Sequence, residues 1–190
     1  MTIYLDMDGV IADFFNAALN WHGGAPLKPV WPRKEYAMAS VLGLSAEEFW
    51  APMYHRDFWD EIRPYPGARE FYETLREVGP VEILTVATGD FEVCAEAKRD
   101  WCRDVLGANP GTIRVMDSST SKADYVIQRR HSSLLIDDNL ETCLAIHRGG
   151  GRVVLVKRPW NTADITVDFD TVDYRTVLKE VEHELTPRTR

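Results

Sequence analysis

The sequence predicts an α/β protein, a doubly wound and open parallel sheet of the Rossmann type with helices on both faces. Short apolar runs rich in β-branched residues alternate with stretches of helical periodicity along the chain, the order that a parallel sheet with crossover helices requires. The alternation is interrupted once, by an aromatic stretch: Trp21, Trp31, Trp50 and Trp59, four of the six tryptophans, fall between residues 18 and 62. With 190 residues and 45% hydrophobic content, the chain can bury one core plus a small appendage. The expected organisation is therefore a core domain over residues 1–17 and 64–190, with a small, mainly helical cap over residues 18–63 inserted after the first motif.

Thr2, Ile3, Tyr4 and Leu5 make the first strand, which delivers Asp6-Met7-Asp8-Gly9-Val10 at its end. Ile11, Ala12, Phe14, Phe15, Ala18 and Leu19 recur at helical spacing. A helix is thus expected straight after the Gly9 bend, its free N–H groups beside the two carboxylates. Residues 20–36 carry Gly23, Gly24, Pro26, Pro29 and Pro32 and read as loop. Ser45 and Glu48 form a capping-box pattern ahead of Phe49 and Trp50. Pro64, Pro66 and Gly67 close the insertion, and a helix over residues 68–78 places Phe71, Leu75 and Val78 on one face before Gly79-Pro80 stops it.

Val81, Ile83 and Leu84 form the second strand, leading to Thr85. Asp90 caps a helix over residues 91–106 with Phe91, Cys94, Trp101, Cys102 and Val105 on one face, closed by Gly107. Ile113, Val115 and Met116 make the third strand, and Lys122 follows in a Ser/Thr-rich run that opens the next helix. Leu134-Leu135-Ile136 is a buried fourth strand ending in Asp137-Asp138-Asn139; a helix over residues 140–148 and a strand over 153–156 follow. Between those two lies Gly149-Gly150-Gly151, the reverse of the strand–loop–helix order of a phosphate-binding loop, so it reads as a helix stop. A last helix spans residues 172–185, and the residues after it are expected to fray.

The net charge is −8, and the longest basic run is Arg129-Arg130-His131, which excludes long nucleic acid and an anionic membrane as expected partners. Cys94, Cys102 and Cys143 are odd in number and form no CxxC pair, as suits a reduced compartment. No charged and apolar leader precedes the first strand, and no run of 18 apolar residues occurs. A soluble, cytoplasmic protein is expected, with a homodimer among the assemblies left open.

In an open parallel sheet, ligands bind outside the carboxyl ends of the strands, where strand order reverses. That rule gathers Asp6, Asp8, Thr85, Lys122 and Asp137 into one region. Clustered carboxylates repel by roughly 4 kcal/mol at 4 Å and an effective dielectric near 20, so they imply a shared proton or a bound cation. Carboxylate oxygens suit Mg²⁺, and a lysine with a hydroxyl suits phosphoryl oxygens. One carboxylate of the first pair can then attack phosphorus while the other handles the leaving-group proton.

The ordered set Asp6-Met7-Asp8, Thr85, Lys122 and Asp137-Asp138 resembles the four motifs of the haloacid dehalogenase (HAD) superfamily of phosphotransferases. More narrowly, residues 6–14, Phe58-Trp59, residues 64–68 and 134–138 are similar to segments of the 5′(3′)-deoxyribonucleotidases. The resemblance implies a HAD-like fold and Mg²⁺-dependent hydrolysis of a small phosphate monoester, a nucleotide. It makes Asp6 the nucleophile and Asp8 the acid/base, with Thr85, Lys122 and Gly9 on the phosphate. Asp6, Asp8 through its backbone carbonyl, Asp137 and Asp138 would surround the metal, and Phe14, Phe58 and Trp59 the base and sugar, with Trp50 a weaker candidate. Val86 stands where family members tend to have serine, and the interval from Lys122 to Asp137 is longer than theirs. A phosphatase of another small metabolite or of nucleic-acid 3′ ends, and a non-catalytic nucleotide-binding module, stay open as alternatives.

Overall fold

The structure, a computed structural model, describes residues 1–88 and 90–186; of the tail expected to fray, residues 187–190 lie outside the described residues. Strands β1 (Thr2–Leu5), β2 (Val81–Val86), β3 (Ile113–Met116), β4 (Ser133–Asp137) and β5 (Arg152–Leu155) form one parallel sheet in the order β3-β2-β1-β4-β5. The predicted α/β class and its doubly wound sheet are thus observed. Strand order reverses at β1, whose neighbours β2 and β4 run out on opposite sides, so the crevice that binds ligands in such sheets opens at the ends of β1 and β4.

Both faces of the central strands are covered, which is why they read as unbroken apolar runs. Ile3, Leu5, Ile83 and Ile136 face a large core shared with helices α5 (Ala68–Val78), α6 (Phe91–Leu106) and α9 (Tyr174–Leu185). Tyr4, Leu84 and Leu135 face the other way, onto Val126 of α7 (Lys122–Ile127) and Ile146 of α8 (Leu140–Arg148). Leu5 pairs in register with Ile83 and Ile136, so the residues after them, Asp6 and Asp137, emerge side by side.

The segment between α1 (Phe14–Trp21) and α5 holds α2 (Met38–Leu42), α3 (Ala46–Trp50) and α4 (Arg56–Asp60). The Ser45–Glu48 capping box forms as expected. Phe49, Met53, Phe58 and Trp59 from this segment join the same hydrophobic cluster as Leu5 and Ile83. Polar ties reinforce it: Trp101 of α6 donates to the Ile62 carbonyl at 2.8 Å, and Arg56 pairs with Asp100 at 2.9 Å.

Several expectations need correction. Helix α1 starts at Phe14, capped by Asp13, and Val10, Ile11 and Ala12 instead donate in a tight turn to the Met7 carbonyl. The helical spacing of Ile11 and Ala12 arose because both are buried in that turn, so no helix N-terminus follows the carboxylates directly. Residues 20–36 are not all loop, since residues 25–30 wind into a 3₁₀ helix. Val78 and Phe91 lie 43% and 39% exposed, while Lys98, a charged residue, occupies the buried face of α6. Among the described residues, no helix is long and apolar enough to cross a membrane, and all three cysteines are free and buried.

Candidate active site

The ends of β1 and β4 build a charged floor. Asp6, Asp137 and Asp138 are buried, and each can turn one carboxylate oxygen to within 4.8 Å of the others. Lys122, at the start of α7 behind the Ser121 cap, donates to Asp6 Oδ1 at 2.7 Å and to Asp137 Oδ2 at 2.9 Å. Burial acts to lower the Lys122 pKa, but the carboxylates of Asp137 and Asp6 outweigh it and hold the ammonium above its usual range. One ammonium cannot neutralise three carboxylates. Burial, with Asp6 close by, lifts Asp137 to about 6 against the pull of Lys122. Burial and the neighbouring Asp137 and Asp6 raise Asp138 well above the carboxylate range. This trio of hard oxygen donors with uncompensated negative charge fits a divalent cation.

Asp8 stands apart from the trio. Its Oδ2 accepts from Lys98 at 2.5 Å, so its side chain is turned from the cluster. Burial raises the Asp8 carboxyl above its ordinary value, and Lys98 works against that rise. Thr85, 1% exposed, accepts from the same ammonium at 3.0 Å. The sequence reading missed Lys98; its signal was the spacing Cys94, Lys98, Cys102, which sets a lysine in the middle of an apolar stripe.

Gly9 does not play the part expected of it. Its N–H is spent on the Ala12 carbonyl at 2.9 Å and is not offered to a phosphate. Its φ of +75°, and the 2.2 Å that would separate an added Cβ from Asp138 Oδ2, show what selects glycine: the turn passes directly against a floor carboxylate.

Above the floor a cavity of about 300 Å³ opens, with Asp8, Gly9 and Asp138 at its polar end and Phe14, Phe15, Tyr36, Met38, Phe49, Trp50 and Trp160 among its walls. Phe14 lines this cavity. Phe58 and Trp59 are not on the wall: at 0% and 2% exposure they pack behind Phe14, with ring centroids 5.5 and 6.1 Å from its ring. Trp50, the weaker candidate, lines the cavity instead. Trp160 also escaped the sequence reading. Its ring stacks on Phe15 at 4.8 Å while its indole N–H donates to Asp138 Oδ2 at 2.6 Å, so one side chain serves both wall and floor. It is backed by the buried Arg158, whose guanidinium lies 4.8 Å from the Trp160 ring and donates to the carbonyls of Phe169 and Thr171.

A doubly wound sheet whose first strand ends in a carboxylate pair, with a second acidic pair and a lysine beside it, agrees with the resemblance to the haloacid dehalogenase class. Solved structures share the fold. The HAD-like hydrolase SP0104 of Streptococcus pneumoniae superposes with a TM-score of 0.51 at 16% identity, over 85% of this chain and 87% of that one. The magnesium-bound structure of the HAD-hydrolase named YfnB from Bacillus subtilis gives 0.54 at 16% identity, over 98% of both chains. Within that class, the chain belongs to the family described as 5′ nucleotidase, deoxy (Pyrimidine), cytosolic type C protein, which matches residues 1–168. Proteins of Bordetella pertussis and Bordetella bronchiseptica, provisionally named 5′(3′)-deoxyribonucleotidase, are each 32% identical over 143 residues, 68% of this chain and 74% of theirs. The protein is a phosphoric monoester hydrolase of the 5′-nucleotidase type.

Proposed function

We propose that the protein hydrolyses deoxyribonucleoside and ribonucleoside monophosphates to nucleoside and phosphate, with Mg²⁺ bound at Asp6, Asp137, Asp138 and the Asp8 carbonyl. The observation that carries this reading is the cavity that runs from an acidic floor to aromatic walls, a shape that suits one phosphate and one flat base. The family description and the names of the Bordetella relatives support it, and so does the magnesium bound to YfnB, which shares the fold.

In this mechanism, a carboxylate oxygen of Asp6 attacks phosphorus, the bond to the ester oxygen breaks, and the Asp8 carboxyl gives its proton to the departing alkoxide. Water then attacks the aspartyl-phosphate, Asp8 takes a proton from it, and the Asp6 carboxylate is regenerated as phosphate leaves. The raised Asp8 pKa suits a group that must carry a proton at the start of each cycle. Lys122 holds Asp6 in line and faces the phosphoryl oxygens, and the Thr85 hydroxyl, already accepting from Lys98, has its own proton to give. Bound Mg²⁺ supplies positive charge that offsets the carboxylates and the phosphoryl group. Phe14 and Trp50 hold the base, and residues 18–63 act as the cap that presents Trp50. A cytosolic location follows the family description.

The test is phosphate release from a panel of nucleoside and sugar monophosphates, with and without Mg²⁺. Nucleoside monophosphates are expected to turn over only with the metal, and sugar phosphates poorly. No release from any nucleoside monophosphate in the presence of Mg²⁺ would reject the substrate assignment.

A further inference from the structure

We propose that Lys98 is a positioning residue for Asp8: reaching from the middle of α6, its ammonium holds Oδ2 and so fixes the carboxyl at the polar end of the cavity. The inference rests on the reading of Asp8 as the acid/base of a phosphomonoesterase. Nζ donates to three acceptors, Asp8 Oδ2 at 2.5 Å, Thr85 Oγ1 at 3.0 Å and the Val86 carbonyl at 2.7 Å. An ammonium has three protons, and all three are placed. The Trp59 ring, centred 5.2 Å from Nζ, closes the remaining side. Lys98 therefore has no proton left for a phosphate, which separates it from Lys122.

Two further observations argue against a purely structural ion pair. The Lys98 side chain is 0% exposed on a stripe shared with Cys94 and Cys102, where an aliphatic residue would pack at lower cost than a desolvated charge. Oδ1 of Asp8 is buried and has no hydrogen-bond partner, an arrangement that a group serving stability alone would not keep. The pair thus holds one carboxylate oxygen on Lys98 and leaves the other buried and without a partner, with Asp8 at the polar end of the cavity. Trp59, expected on the substrate, acts one layer behind it by packing on this lysine.

The test compares a deoxyribonucleoside monophosphate with p-nitrophenyl phosphate, whose phenolate leaves without needing a proton. Three variants are measured: Lys98→Met, Asp8→Asn and the double variant, each checked for folding by thermal unfolding. The rate compared is that of ester cleavage in a single turnover, the step before water attacks: Lys98→Met is expected to lower it roughly 10-fold or more for the nucleotide, to change it about 3-fold or less for the aryl ester, and to add nothing once Asp8 is Asn. Equal losses on both esters, or losses that multiply in the double variant, would overturn the positioning role. Should Lys98→Met fail to fold, Lys98→Gln, which keeps a donor and removes the charge, is measured against the same outcomes. If Asp8→Asn itself slows both esters equally, the acid/base reading falls and the inference falls with it. If only Lys98→Met does so, the inference alone is lost.

Discussion

The floor and the wall of the cavity are built on opposite plans. The floor draws charged side chains from the tips of β1 and β4 and the first turn of α7, rigid elements in a parallel register, and fixes them by short ionic contacts. The wall draws aromatic rings from α1, α3 and two irregular stretches, and fixes them by ring packing. Charge that must be aimed within fractions of an ångström is carried on the sheet, while shape that must accept a base is carried on short helices and loops. Trp160 is where the two plans meet.

Changes in the floor should strike the rate, and changes in the wall should strike binding or stability. The largest effect is expected for Asp6→Asn, which removes the nucleophile and should cut kcat on a nucleoside monophosphate by at least about 10³-fold while the thermal unfolding midpoint changes little. Asp8→Asn should cost roughly 100-fold in kcat with phosphate still bound, read by steady-state kinetics and phosphate inhibition. Trp160→Phe keeps a ring in the wall and deletes the donor to Asp138, so Mg²⁺ affinity measured by calorimetry should fall roughly 10-fold while KM stays near its original value. An equal rise in KM would place Trp160 with the wall alone. Phe58→Ala should lower stability by about 3–5 kcal/mol in denaturant unfolding, because it empties a fully buried site. The smallest effect is expected for Trp50→Ala, which should raise KM several-fold and leave kcat nearly intact; a loss confined to kcat would erase the distinction between the two regions.

The same division decides how much was legible in the sequence. Alternating apolar runs and helical stretches announced the sheet, because strands buried on both faces leave a continuous signature. The floor was legible because strand ends in such a sheet converge by topology, so Asp6, Asp137 and Lys122 could be brought together from order alone. The wall was not, because whether a ring faces a cavity or a core depends on packing that no periodicity encodes: Phe58 and Trp59 fell behind Phe14, and Trp50 and Trp160 fell in front. Gly9 was rightly singled out for the wrong reason, since its closeness to Asp138 needed the position of a residue far along the chain. Lys98 lay hidden within a helix whose other buried residues are apolar or weakly polar, and a lone lysine there reads as exposed until its partners are seen.

The central claim is that Asp6 takes the phosphoryl group. The direct measurement is rapid acid quenching of the Mg²⁺-loaded enzyme with a deoxyribonucleoside monophosphate labelled on phosphorus, followed by borohydride reduction and peptide mapping. The expected result is protein-bound label that is stable to acid and labile to base, located at Asp6 and missing from Asp6→Asn. Turnover of the nucleotide with no label on the protein, in an enzyme whose Asp6→Asn variant keeps its rate, would contradict it.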